Sequence, residues 1–161
     1  EVFEFGYVQT DAHGGNFLVD ENAEHLSLID FGACLDFDEE TLEVYRNFMR
    51  TSYYQDREGF LNEMNQFTEN SGHPIEYDAD LMWEYINHIS SPMRSENYNW
   101  GTTKLPDELI EIGKRLRKSM KFKSVVHHFI FLDRKLLGVF ILLKQLGAEF
   151  NVRSLFARFI T

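Results

Sequence analysis

The sequence contains a single cysteine, Cys34, so it can build neither an internal disulfide nor a cysteine-based zinc centre. With no histidine near it in sequence, Cys34 reads as a small buried hydrophobe rather than a nucleophile. Positive charge is scarce as well. Sixteen Lys and Arg stand against 26 Asp and Glu, a net charge of −10. That balance excludes a broad nucleic-acid surface, which needs a basic stripe against the phosphates. The one basic cluster is Lys114, Arg115, Arg117, Lys118, Lys121 and Lys123. It reads as the solvated face of a helix, with an anionic lipid surface or an acidic partner as the alternative.

Long apolar runs are missing too. Ser124–Leu146 comes nearest, but Asp133, Arg134 and Lys135 interrupt it, and Leu136 to Leu143 is too short to cross a bilayer. A buried core helix is expected there, with Gly138 allowing close packing and a buried Asp133 or Arg134 requiring a partner. No signal peptide or initiator Met opens the chain. Glu1-Val2-Phe3-Glu4-Phe5 begins mid-pattern, as expected of a piece excised from a longer protein.

What the sequence does have is apolar mass: 161 residues, 43% hydrophobic, with fifteen Phe. This is enough for a core in one domain, or in one lobe of a larger domain. Residues 1–10 should end a helix or short strand, and Gly14-Gly15 marks 11–16 as loop. Phe17-Leu18-Val19 and Leu26-Ser27-Leu28-Ile29, joined by five mostly polar residues, read as a hairpin. No strand of any length is expected after Gly32. Capping residues at 36–39 precede Leu42, Tyr45, Phe48 and Met49, whose three-and-four spacing is helical.

Further helices are expected from about Asp56 to 70–72, from Asp78 or Asp80 to before Pro92, and from Pro106 through Met120. The Ser124–Leu146 helix and a short one near Arg153–Phe159 follow, with 93–104 as a polar loop. The fold class is therefore α+β, mostly α, with a small β-hairpin.

The chemistry lies in that hairpin and the loop before it. Thr10-Asp11-Ala12-His13-Gly14-Gly15-Asn16 leads into the first strand, and Leu28-Ile29-Asp30-Phe31-Gly32 leaves the second. Taken singly, each residue has an ordinary explanation. Asp11 could bond its own backbone, and Asn16 could serve as a turn or cap residue. Jointly they have the order and spacing of a kinase phosphoryl-transfer site. There one carboxylate orients the acceptor, and a carboxamide and a second carboxylate hold Mg²⁺ against the phosphates of ATP. Asp11 is the candidate catalytic residue, and Asn16 and Asp30 are the candidate metal and nucleotide-binding residues. The hairpin is expected to carry Asn16 and Asp30 on adjacent strand ends.

Histidine adds little. His127 and His128 point about 100° apart on a helix and cannot easily share a metal. His73 lies in a loop and His88 on the polar side of its helix. His13, between Asp11 and Asn16, is expected to order the loop.

The segment from Gln9 to Val19, with Leu28-Ile29-Asp30-Phe31-Gly32-Ala33, resembles the UbiB/Coq8-type atypical kinases of ubiquinone biosynthesis. Phe131-Leu132-Asp133-Arg134-Lys135-Leu136-Leu137-Gly138-Val139-Phe140 resembles the final long helix of the same family. The resemblance implies a protein-kinase-like fold, with residues 1–161 forming its C-terminal lobe and the hairpin at its metal site. It also implies ATP and Mg²⁺ as cofactors, with Asp11 as the loop acid and Asn16 and Asp30 as metal ligands. Nucleotide is the implied partner, together with a quinone-pathway lipid or a membrane surface. The compartment stays open between the membrane-proximal bacterial cytoplasm and the mitochondrial matrix.

Where the family commonly carries prolines in the loop, this chain has Ala12 and Gly14, which loosens the unbound loop. The phosphate-binding loop, the Lys–Glu pair and the Lys-x-Gly-Gln helix of the family are absent from the sequence. The chain alone is therefore expected to bind nucleotide weakly and turn over poorly. The leading function is a kinase-like ATPase or phosphotransferase. The alternatives are a small-molecule phosphotransferase of the same fold and a non-catalytic lipid-binding pseudokinase scaffold.

Overall fold

The computed structural model describes residues 1–70, 76–120 and 127–160. Among the described residues it is mostly helical, with three two-stranded sheets. A one-turn helix α1 (Val2–Phe5) ends at Gly6, whose left-handed φ of 59° reverses the chain into β1 (Tyr7–Gln9). A side chain at Gly6 would be strained by that φ and would also press on the Phe37 carbonyl, 3.1 Å from its Cβ. β1 pairs antiparallel with β4 (Cys34–Asp36), matching Gln9 to Cys34 and Tyr7 to Asp36. Between them, β2 (Phe17–Val19) and β3 (Leu26–Leu28) form the expected hairpin, with Phe17 opposite Leu28.

The β1–β4 ribbon thus gathers both ends of the 11–32 segment. Thr10 closes its base: the backbone N–H donates to the Ala33 carbonyl at 2.7 Å and the hydroxyl to the same oxygen at 2.9 Å. Under the ribbon, Val8, Phe37, Leu42 and Tyr45 make a small core.

Helix α2 (Glu39–Tyr53) starts where Asp38 accepts from the Thr41 N–H at 2.8 Å, and it buries Leu42, Tyr45 and Phe48 as the spacing predicts. Each such side chain, fully buried, stabilises the fold by about 1.5–3 kcal/mol. Three more helices continue the bundle: α3 (Arg57–Asn70), α4 (Ala79–Ile89) capped by Asp78, and α5 (Leu105–Ser119) with Pro106 in its first turn. Their buried faces meet in one core around Phe48, Phe60, Tyr85, Trp100, Leu109 and Phe140. The basic residues of α5 lie on its solvent side, where Lys114 pairs with Glu111 and Arg115 with Glu84. Lys121 and Lys123 lie outside the described residues, as do His73 and the start of the predicted 124–146 helix.

Four expectations need correction. Strands do follow Gly32: β4, and then β5 (Tyr98–Asn99) paired with β6 (Glu149–Phe150). They are two or three residues long and exist through long-range pairing, so no alternation shows in the sequence. The 93–104 stretch is not simply a polar loop. It carries Trp100, buried against Tyr98 and Phe140 with ring centroids 4.6 and 4.9 Å away. An isolated aromatic has no period to reveal it.

The last long helix, α6 (His127–Gln145), is only partly a core helix. Phe140 is buried, whereas Ile130 and Ile141 face solvent, because the helix lies along the surface with one side on the core. No helix among the described residues is long and apolar enough to cross a membrane. Helix α7 (Val152–Phe156) and a short 3-10 turn, Ala157–Phe159, close the described chain. Cys34 is half-buried rather than fully buried, because its strand is a ribbon edge.

Candidate active site

Asp11 leaves the ribbon at Thr10 and begins a tight loop. His13 N–H donates to the Asp11 carbonyl at 2.8 Å, and Asn16 N–H donates to the His13 carbonyl at 2.9 Å. The His13 ring orders the turn, as expected, with Nδ1 accepting from the Gly15 N–H at 3.1 Å. The sequence spacing of five then becomes a contact. The Asn16 carboxamide donates from Nδ2 to the Asp11 carbonyl at 3.0 Å and to Asp11 Oδ2 at 3.2 Å. Gln9 Nε2 donates to the same Asp11 carbonyl at 2.8 Å.

The hairpin relates the third candidate to this pair. Ile29 N–H donates to the Asn16 carbonyl at 3.0 Å, extending the β2–β3 ladder one step beyond Phe17 and Leu28. Asn16 and Asp30 therefore both sit at the open end of the hairpin. Asp30 turns the chain away, its Oδ1 accepting from the Gly32 N–H at 2.8 Å. Among the described residues, Asn16 Oδ1 and Asp30 Oδ2 accept no hydrogen bond. These are hard oxygen donors on half-exposed and exposed side chains. That donor chemistry fits Mg²⁺, which takes one or two protein oxygens and completes its shell with water and phosphate.

At the far tip of the hairpin, Asp20, Glu24 and His25 also cluster. Asp20 Oδ1 already accepts from the Glu24 and His25 N–H groups, so the cluster is the structure of the turn itself.

The second carboxylate oxygen of Asp11 is taken by a residue from the other end of the chain. Arg134 Nη2 on α6 donates to Asp11 Oδ1 at 2.9 Å, across 123 residues of sequence. Its neighbour Lys135 reaches Glu1 at 3.1 Å and Gln9 Oε1 at 3.4 Å, and lies 5.9 Å from the centre of the Phe17 ring. Reading the sequence alone leaves these contacts unseen, although the four-residue step from Arg134 to Gly138 to Leu142 marks one helix face. Asp133, on another side of α6, is half-buried. Tyr85 donates its hydroxyl to Asp133 Oδ1, and burial holds the carboxyl above its ordinary range.

Known proteins resemble the chain along its length. Residues 1–64 match the ABC1 atypical kinase-like domain. Atypical kinase COQ8B, mitochondrial, of Rattus norvegicus is 28% identical over 162 residues, covering 97% of this chain and 30% of its own length. The chain is similar to the ABC1 and COQ8 atypical kinases. Atypical kinase COQ8, mitochondrial, of Saccharomyces cerevisiae is 25% identical over 160 residues, 97% of this chain and 32% of its own. The probable serine/threonine-protein kinase abkA of Dictyostelium discoideum is 27% identical over 174 residues, 99% of this chain and 29% of its own. The chain therefore spans about a third of the length of these three relatives. The similarity runs through the middle of the chain, residues 50–120, where no motif is visible.

Proposed function

We propose that residues 1–161 form the C-terminal lobe of a protein-kinase-like domain that binds MgATP and transfers or hydrolyses its terminal phosphoryl group. The observation carrying this reading is the Asn16 carboxamide. Its N–H bonds go to Asp11, so its oxygen is left at the hairpin end that also bears Asp30. Asp11 is the proposed catalytic acid-base group, orienting the attacking hydroxyl or water. Each of its carboxylate oxygens has one fixed donor and keeps a second lone pair for that proton. Asn16 and Asp30 are the residues that would hold Mg²⁺. When bound, the metal supplies charge neutralisation at the phosphate oxygens.

The exposed apolar residues on and just after the hairpin suit a lobe that covers them. Val19, Leu26 and Phe31 are 60%, 68% and 58% exposed, a costly arrangement for a surface that stays in water. A lobe seated there would supply the contacts to the base and to the α and β phosphates that this chain lacks, leaving the isolated chain a poor catalyst.

The similarity to the COQ8 atypical kinases supports a role in ubiquinone or isoprenoid-lipid metabolism. A quinone-pathway lipid or a membrane surface is the proposed setting of the acceptor.

ATP turnover by the longer parent protein tests the reading. Asp11→Asn should cut turnover by about 10²-fold or more while MgATP still binds. Asp30→Asn should abolish Mg²⁺-dependent binding itself. Turnover unchanged in both variants would contradict the assignment.

A further inference from the structure

Helix α6 presents one continuous face to the 11–16 loop. Positions four apart stack on the same side of a helix, and three of them meet successive parts of the loop. Arg134 Nη2 donates to Asp11 Oδ1 at 2.9 Å. A Cβ at Gly138 would lie 2.9 Å from the Ala12 Cβ and 3.1 Å from its carbonyl oxygen. A Cβ at Gly14 would lie 3.7 Å from Leu142 Cδ1. The loop has two glycines and no proline between Asp11 and Asn16, so its backbone is loosely constrained by sequence. Its internal hydrogen bonds shape the turn, and α6 is the element that packs against it from outside.

Resting on the phosphoryl-transfer reading, we propose that this face of α6 is the template of the catalytic loop, with Arg134 as the positioning residue for Asp11. The carboxylate is gripped from two sides, by Asn16 on Oδ2 and by Arg134 on Oδ1. Two donors from different elements fix both its position and its rotation, which one donor cannot do. The pair is solvent-accessible, with the two side chains 60% and 40% exposed, so its contribution to stability is small. Its effect falls on orientation. A misplaced catalytic group costs rate without changing the affinity for nucleotide held elsewhere.

The test is a kinetic cycle on the longer parent protein with Arg134→Gln, Arg134→Lys, Asp11→Asn and the Arg134→Gln/Asp11→Asn double variant. Arg134→Gln should lower kcat by about tenfold to a hundredfold, with the KM for MgATP changed less than about twofold. Arg134→Lys, which can still reach the carboxylate with one donor, should recover kcat to within about threefold. In the Asp11→Asn background, Arg134→Gln should have no further effect, because its action runs through that carboxylate.

Three results would overturn the proposal. They are unchanged kcat in Arg134→Gln, an equal loss in the Asp11→Asn background, and a rise in KM as the main effect. Mg²⁺-dependent binding of ATP by the unsubstituted protein is measured alongside. If it is absent, the phosphoryl-transfer reading fails and this proposal with it. If it is present and Arg134→Gln is fully active, this proposal alone fails.

Discussion

Gly138 on α6 approaches Ala12 so closely that a Cβ added to it would stand 2.9 Å from the Cβ of Ala12. The neighbouring atoms are a methyl carbon and a backbone oxygen, neither the free end of a flexible side chain. Glycine in a helix interior costs about 1 kcal/mol relative to alanine, so on propensity alone Gly138→Ala should stabilise. The contact predicts the reverse. Gly138→Ala should destabilise by about 1 kcal/mol net, and Gly138→Val should cost more, since forced overpacking costs about 1–3 kcal/mol. Equilibrium denaturation checks this, and a stabilised Gly138→Ala variant would show that α6 and the loop are not in contact.

The base of the site segment depends on Thr10. Its hydroxyl is buried and donates to the Ala33 carbonyl at 2.9 Å. Thr10→Val keeps the shape and removes that bond, and should lower stability by about 0.5–1.5 kcal/mol. Thr10→Ser should retain most of it. Denaturant midpoints for the two variants distinguish the hydroxyl from the methyl group.

Asn16→Ala removes both side-chain bonds to Asp11 and the proposed ligand oxygen together. Turnover by the parent protein should fall by about 10²-fold or more. Stability should change by no more than about 1–2 kcal/mol, the scale of two partly exposed hydrogen bonds. Paired rate and melting measurements separate the two, and a large stability loss with normal specific activity would assign Asn16 to the loop alone.

Asp133 sets a pH dependence. Burial, the largest cause, raises its carboxyl above the ordinary value of 3.8, while the Tyr85 hydrogen bond and Arg117 oppose it. The native state therefore binds this proton more tightly than the unfolded chain does. The associated stability is full below 3.8 and is lost as pH rises through the raised folded value. Asp133→Asn can still accept from Tyr85 and carries no charge. Its melting temperature relative to the unsubstituted protein should rise between pH 4 and pH 7. A pH-independent difference would contradict the sign.

The helices were legible because their signals are local. Asp38 followed by Leu42, Tyr45 and Phe48 contains both a start and a buried face. So does Asp78 followed by Met82, Tyr85 and Ile89. The loop that carries Asp11 and Asn16 was legible for the same reason, marked by Gly14-Gly15, whereas the hydrogen bonds between the two residues were not. What escaped depends on partners distant in sequence. β4 exists because Gln9 faces Cys34, and Trp100 is buried because Phe140 and Ala148 arrive beside it. Arg134 illustrates the limit. Its spacing with Gly138 and Leu142 defines a face, yet nothing in the run says that the face meets Asp11.

Thermal unfolding of the parent protein, titrated with ATP with and without Mg²⁺ and repeated on Asp30→Asn, tests the central claim most directly. A ligand that binds only the native state raises its stability by RT ln(1 + [L]/Kd), about 2.7 kcal/mol at a hundredfold excess over Kd. The account predicts a rise in melting temperature that requires Mg²⁺ and disappears in Asp30→Asn. A rise that persists in Asp30→Asn, or no rise with MgATP at all, would contradict a metal-nucleotide site built on Asn16 and Asp30.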